Sequence, residues 1–316
     1  MTGATHVIFG TGPVGCWTAR ALVEQGHRVR AVNRRGTRPD LLPAEVEVVA
    51  ADVADPGAAV AAAAGAVVVV QALNAPYDRW DEGFPPLQAG ALAAAEAAGA
   101  RYVSVENLYM YDPSRVIVED GAIAPVGRKG ALRQRLAQEV RDAHDAGRVR
   151  AAALRSADYY GPGVTGSAWG DRAFAPLVAG KAAQLTGSMD AKHSLAYVED
   201  VGRAVAVLAT RDDLLGATWF APHAPARTQR DLLEFAAGAA GVPPRASAMG
   251  TAMMRFGGLF VPQARAMVEM MVQFTQPFVV DASRSEAALG LAATPLEEGM
   301  ARTVAWYREH AAAGTS

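Results

Sequence analysis

What this sequence lacks narrows it first. A single cysteine, Cys16, among 316 residues rules out an internal disulfide, and with it the disulfide-built secreted scaffolds. Charge of neither sign predominates: 30 Lys and Arg against 32 Asp and Glu leave a formal net charge of -2. The basic residues are scattered rather than gathered in the stripe that a nucleic acid demands. His6, His27, His144, His193, His223 and His310 are dispersed without H-x-x-x-H or H-x-H spacing, so no metal centre is expected. No G-x-S-x-G elbow is present, which leaves a Ser-His-Asp hydrolase of that type unsupported. The N-terminus lacks the basic, apolar, small-residue order of a signal peptide. The most continuous apolar run, residues 58–73, is broken by Gly65 and changes from Ala-rich to Val-rich, which reads as helix then strand rather than a membrane span. A cytoplasmic location is expected, with no nucleic acid and no membrane as partners.

What is present starts at the N-terminus. With 51% hydrophobic residues the chain can bury a substantial core, and its first apolar strand, Thr5 to Phe9, runs into Gly10-Thr11-Gly12-Pro13-Val14-Gly15. The G-x-G-x-x-G spacing has a mechanical reading: Gly10 permits a tight strand-to-helix turn, Gly12 lets a pyrophosphate approach the backbone, and Gly15 lets the helix pack on the strand. Pro13 suits a first helical position and Gly26 the position just past the helix end. The N-terminus of that helix would present free N-H groups to phosphates. Cys16 lies in its first turn, where the helix could lower its pKa or the residue can serve as small packing.

A second strand, Arg28 to Val32, precedes Asn33-Arg34-Arg35. Sites that hold NAD place an acidic residue roughly 20 residues after the glycines. Asn33 stands there instead, followed by two guanidinium groups able to pair a 2'-phosphate, so NADP is expected over NAD. Alternatively, the pair is a solvated basic turn. Val46 to Ala50 makes a third strand, with Asp52 and Val53 placed to contact an adenine, and Val67 to Leu73 a fourth with Asn74 at its carboxyl end. A helix from Phe84 to Ala98 and a fifth strand, Arg101 to Val105, continue the alternation that a doubly wound parallel α/β sheet requires. A helix beginning near Gly127 and running to about Ala146 precedes a sixth strand, Val149 to Leu154. Beyond it, helical segments (167–180, 200–211, 229–240) alternate with short strand-like pieces. Residues 249–274 are mostly apolar and Met-rich, suited to a substrate pocket, an oligomer contact or core packing. A closing helix spans 295–310.

The chain resembles the extended short-chain dehydrogenase/reductase superfamily, of the NAD-dependent epimerase/dehydratase type. Gly10 through Gly15 is similar to its cofactor loop, Asp52-Val53 to its adenine-contacting pair, and Arg155 through Gly163 to its Arg...Tyr-Gly-Pro-Gly segment. His193 through Val201 resembles its late His...Val-x-Asp-Val signature, and residues 282–303 its terminal stretch. The resemblance implies a Rossmann-type doubly wound parallel sheet with a smaller, mostly helical C-terminal substrate domain. The expected division is 1–165 with 190–215 returning to the nucleotide domain, against 166–189 and 216–316. It also implies a Ser or Thr after the fifth strand and a Tyr-x-x-x-Lys pair. Here Asn107 falls in the Ser position and Lys129 matches the Lys, where it would also grip the nicotinamide ribose. Four residues before Lys129 stands Pro125, and a one-residue shift offers only Val126; neither transfers a proton.

Three replacements suggest themselves for that phenol. Tyr109 or Tyr111 can swing in or simply pack; Lys129 can act as a base if desolvated; Asp158, where the family has a substrate-facing Asn, can serve as acid or base or lie in solvent. A carboxylate at 158 would repel a diphosphate. The expected function is therefore that of an NADP-dependent oxidoreductase or epimerase-like enzyme acting on a small organic molecule that is not a sugar nucleotide. A non-redox isomerase, cyclase or lyase on the same fold, or a dinucleotide-sensing binding protein, are the alternatives. A homodimer is left open.

Overall fold

The computed structural model describes residues 4–313, without the side chains of residues 262, 263 and 311–313. The chain divides into two compact units: residues 1–108, 129–155 and 201–221 form the first, and residues 109–128, 156–200 and 222–316 the second.

The first unit is a seven-stranded Rossmann-like sheet. Strands β1 (Thr5–Phe9), β2 (Arg28–Asn33), β3 (Glu47–Ala50), β4 (Ala66–Gln71), β5 (Arg101–Asn107) and β6 (Arg150–Ser156) are joined by a seventh, Thr218–Phe220. From one edge the order is Thr218–Phe220, β6, β5, β4, β1, β2, β3, and the registered pairs run parallel. Parallel strands buried on both faces must be apolar throughout, and Val7, Ile8, Phe9, Val68, Val69 and Val70 are each 0% exposed. The order reverses between β1 and β4, which opens a crevice at their carboxyl ends. Helices α1 (Pro13–Glu24), α2 (Pro56–Ala62), α3 (Trp80–Ala98) and α4 (Gly127–Asp145) flank the sheet.

Alanine-rich helices pack close here. A methyl at Gly90 of α3 would stand 1.8 Å from the Val53 carbonyl oxygen, so only glycine lets α3 lie against the turn after β3. Helix α3 starts four residues before the expected Phe84. Asp81 and Glu82 occupy its first turn, where carboxylates favour the positive end of the helix, while the Trp80 indole N-H donates to the Ala75 carbonyl at 3.2 Å.

The second unit has its own core, built on Tyr160, Trp169, Phe174, Leu185, Leu232 and Tyr307. It comprises short two-stranded pairings and helices, including Asp158–Tyr160 parallel to Leu195–Tyr197. Compared with the sequence division, residues 109–128, 156–165 and 190–200 cluster with this unit and 216–221 with the first, and the two units are of similar extent. The physical reason for 109–128 is backbone pairing. Ile117 donates its N-H to Val279 and Asp281 donates to Ile117, at 2.8 and 2.9 Å, while the buried Glu119 carboxylate accepts from the Ser285 N-H at 3.1 Å and from its hydroxyl. Phe278 and Ser194 tie 278–280 to 192–194 in the same way.

The Met-rich segment is no single element. It folds as Thr251–Gly257, Pro262–Met267 and Val272–Thr275 with a 3-10 turn between the last two. Met254, Met270, Met271 and Phe274 are buried, whereas Met253, Phe256, Leu259, Phe260 and Val261 are exposed. Among the described residues no helix is long and apolar enough to cross a membrane.

Candidate functional site

The glycine turn sits at the carboxyl end of β1, beside β4. Gly10 has φ +106°, and a methyl on it would lie 2.6 Å from the Ala72 carbonyl oxygen; the turn needs both the left-handed backbone and the close approach. A methyl on Gly15 would meet the Gly10 oxygen at 2.0 Å. Gly12 differs from both. It caps α1 in an extended conformation open to any residue, and a methyl there would meet nothing within 4 Å. The protein's own packing therefore requires Gly10 and Gly15 but leaves open space in front of Gly12. Pro13 opens the helix and Val14 is buried behind it.

Cys16 is part of the packing. Its thiol points at the Thr11 carbonyl, 3.3 Å away, and burial pushes it up to about 11, so it holds the turn as a neutral group rather than a thiolate.

Next to the turn lies an open cavity of about 210 Å³, whose lining includes Arg34, Asp52, Val53, Asn74, Pro76 and Leu87. Asn33 borders it but is occupied by its own loop: its amide donates to Thr11 Oγ1 and the Thr37 carbonyl at 3.0 and 2.8 Å, and its oxygen accepts from the N-H groups of Arg35 and Thr37. These four bonds use the whole capacity of the amide. Asn33, which stands where NAD sites place an acidic residue, thus has a scaffolding role, and Arg34 is the charged side chain beside it on the cavity wall. Arg35 is exposed and is not among the lining residues. Asp52 turns one carboxylate oxygen to the Ala54 N-H and Val53 is buried. A cavity with an apolar wall, a carboxylate, an exposed guanidinium and an adjoining bare glycine turn fits the adenosine end and pyrophosphate of a dinucleotide.

Lys129 stands in the first turn of α4 and is 8% exposed. Its ammonium lies over the Tyr77 ring at 4.7 Å and the Trp80 ring at 6.0 Å, a geometry that stabilises a cation with little water. Tyr77, Trp80 and Phe84 form an edge-to-face series, and Arg133, one turn along α4 from Lys129, covers Phe84 at 4.8 Å. Tyr77 thus places a phenol beside Lys129. Tyr77 lies in the turn before α3 and Trp80 and Phe84 in its first turns, and nothing local joins them to residue 129. Asn107 closes β5 and is half-buried; the preceding Glu106 is paired with Arg155 at 2.8 Å, with both side chains buried.

In the second unit, Tyr111 is 2% exposed and donates its hydroxyl to the Glu119 carbonyl at 3.0 Å. It is placed as a packing phenol rather than one that swings. Tyr109 is half-buried. Tyr160, in the Tyr-Gly-Pro segment, is a core residue whose phenol burial pushes up. Gly161 follows it because a methyl there would lie 2.7 Å from Val198.

Asp158 is not a solvent-facing carboxylate. Its Oδ2 lies 2.9 Å from Nε2 of His193, which is 3% exposed. The other ring nitrogen of His193 faces the Gln273 carbonyl at 3.1 Å, and the ring is stacked between Phe274 and Phe278 at 5.1 and 5.2 Å. The imidazole is thus held between a carbonyl oxygen on one ring nitrogen and a carboxylate oxygen on the other. His193 lies 35 residues from Asp158; it stands out in the sequence as the first residue of a family signature, but its pairing with Asp158 is not visible there. Among the described residues no group of three or more His, Cys, Asp or Glu is placed to hold a metal ion.

Sheet order, glycine turn and flanking cavity define the Rossmann-type α/β class. Residues 7–218 match the NAD dependent epimerase/dehydratase family, and the chain belongs to that family. A ceramide reductase from Caulobacter vibrioides (strain NA1000 / CB15N) is 38% identical over 117 residues, covering 35% of this chain and 37% of that protein, so the chain spans well under half the length of that relative. Among solved structures, MoeE5 in complex with UDP-glucose and NAD superposes with a TM-score of 0.76 at 20% identity, over 98% of this chain and all of that one. PA4631, a nucleoside-diphosphate-sugar epimerase from Pseudomonas aeruginosa, gives 0.74 at 18% identity, over 97% and 98%. At these identities the structural likeness concerns the fold.

Proposed function

We propose that the chain is an NADP-dependent oxidoreductase or epimerase-like enzyme acting on a small organic molecule that is not a sugar nucleotide. The observation that carries the reading is Lys129, a buried ammonium framed by Tyr77 and Trp80 in the same unit as an intact glycine turn and its cavity. Gly10 through Gly15, Asp52, Val53 and Asn74 would hold the dinucleotide, and Arg34 would meet a 2'-phosphate through its guanidinium fork. When bound, the coenzyme supplies hydride donation and acceptance. The chain's own residues hold and move the proton at the substrate oxygen, a contribution of roughly 10² to 10⁴ in rate.

Two groups suit that proton. Tyr77 is a phenol next to an ammonium, the combination that the Tyr-x-x-x-Lys pair otherwise provides. Asp158 is a half-buried carboxyl 2.9 Å from the imidazole of His193. A carboxylate at position 158 would repel a diphosphate, which speaks against a sugar nucleotide. The name of the curated relative makes a ketone or secondary alcohol on an amide-bearing, long-chain compound the first class to try.

The test uses purified protein, NADPH deuterated at C4 and a panel of ketones of that class, with the alcohol product read by mass spectrometry. Deuterium should appear in the alcohol, and Lys129→Ala should lower its formation by on the order of 100-fold or more. NADPH binding without transfer to any ketone would defeat the proposal, and turnover that persists after the coenzyme is stripped would favour the non-redox isomerase, cyclase or lyase.

A further inference from the structure

The segment between Met253 and Val261 has an unusual surface for a chain of this composition. Met253, Phe256, Leu259, Phe260 and Val261 are 59, 68, 65, 75 and 46% exposed, five large apolar side chains within nine residues. Contiguous exposed apolar surface of this kind marks an interaction site. It is held in place rather than loose. Met254 anchors the helix Thr251–Gly257 in the interior, and the Arg265 guanidinium donates to the Gly258 carbonyl at 2.9 Å. A methyl at Gly258 would come within 2.9 Å of the Arg265 Cα, so the glycine lets the two chain segments cross closely. The Phe256 and Phe260 rings meet edge to face at 5.8 Å while both remain exposed.

Charge points to what covers this surface. From Glu234 to Glu269 the chain carries Arg245, Arg255 and Arg265 and no Asp or Glu between, although the whole chain has a net charge of -2. Arg255 is exposed and adjoins Phe256. A protein partner would be expected to meet a rim of mixed charge, whereas aromatic and aliphatic side chains whose nearest charged neighbours along the chain are arginines match the boundary between acyl chains and anionic headgroups. We propose that the 253–261 tip adsorbs the protein to an anionic lipid bilayer surface. Interfacial adsorption needs only an apolar face and nearby cations, not a spanning helix.

Full-length protein is mixed at low ionic strength with vesicles of phosphatidylcholine, with and without phosphatidylglycerol, and bound protein is separated by flotation. Binding is expected to the mixed vesicles and to weaken with salt. Phe256→Ser with Phe260→Ser should lower partitioning on the order of 100-fold, and Arg255→Glu by roughly fivefold or more. Both variants should melt as the parent does, because the altered side chains are exposed. Failure to bind mixed vesicles, or equal binding by the double Ser variant, would overturn the proposal. So would light scattering that shows a dimer in the parent and a monomer in the double variant, since the tip would then lie between copies of the chain. The result stands apart from the coenzyme chemistry, which neither variant touches.

Discussion

Replacing Gly12 by alanine separates what the glycine turn does for folding from what it does for a ligand. At Gly12 the backbone has φ -70° and ψ -178°, which alanine adopts freely, and the new methyl would meet nothing within 4 Å. Stability should hold or rise by up to about 1 kcal/mol, because the unfolded chain loses freedom. Gly15→Ala places the same methyl 2.0 Å from the Gly10 oxygen, and overpacking of backbone by backbone costs at least about 1–3 kcal/mol. Binding should show a different pattern. If a pyrophosphate lies in the space before Gly12, a methyl there costs a similar 1–3 kcal/mol in the complex alone, a loss of roughly 5- to 150-fold in affinity. Urea unfolding and calorimetric titration with NADP on the parent and both variants give the two readouts. A Gly12→Ala protein that binds NADP as the parent does would refute the reasoning. If Gly12→Ala is instead as unstable as Gly15→Ala, the open space is not there.

The remaining predictions concern buried charge and protonation. His6 is 3% exposed, and burial, followed by the neighbouring His27 and Arg101, lowers its pKa to about 4. Its folded form resists a proton that the unfolded chain accepts below about pH 6.5, so its stability contribution is complete above that pH. As pH falls from 6.5 to 4, about 3 kcal/mol is lost; urea unfolding over that range should show a shallower decline in His6→Phe, and parallel curves would contradict the assignment. Glu106→Leu removes the carboxylate beside the buried Arg155 guanidinium and should destabilise by about 3–5 kcal/mol, so a loss below about 1 kcal/mol in the same assay would mean that the pair is solvated. Asp158→Ala removes the carboxylate 2.9 Å from the buried His193 ring and should destabilise by about 1–3 kcal/mol in urea unfolding; an unchanged midpoint would show that the contact holds nothing.

Local signals were readable where the chemistry is local. Gly10, Gly12 and Gly15 declare themselves because the turn, the bare amide and the close helix contact fall within six residues, and the β1 to β6 alternation follows from apolar runs separated by glycine-terminated helices. The chemistry formed at a distance was not readable. Tyr77 and Lys129 are 52 positions apart, and Asp158 meets His193 only because Asp158–Tyr160 and Leu195–Tyr197 pair as strands too short to carry a pattern. The loop 109–128 follows β5 in sequence, yet its hydrogen bonds run to residues 279–285. Asn33 falls by position among the cofactor-facing residues, whereas its hydrogen-bond capacity, visible only once Thr11 and Thr37 are placed, is spent on Thr11, Arg35 and Thr37. The Met-rich segment was ambiguous because methionine composition is silent on which side chains turn outward.

The most direct test of the account is the affinity of the purified protein for NADP and NAD, titrated side by side in the parent and in Arg34→Ala. The account predicts that NADP binds more tightly by about tenfold or more, an effect of about 1.4 kcal/mol, and that the preference collapses in Arg34→Ala with little change for NAD. Binding of neither coenzyme, or tighter binding of NAD by the parent, would contradict it.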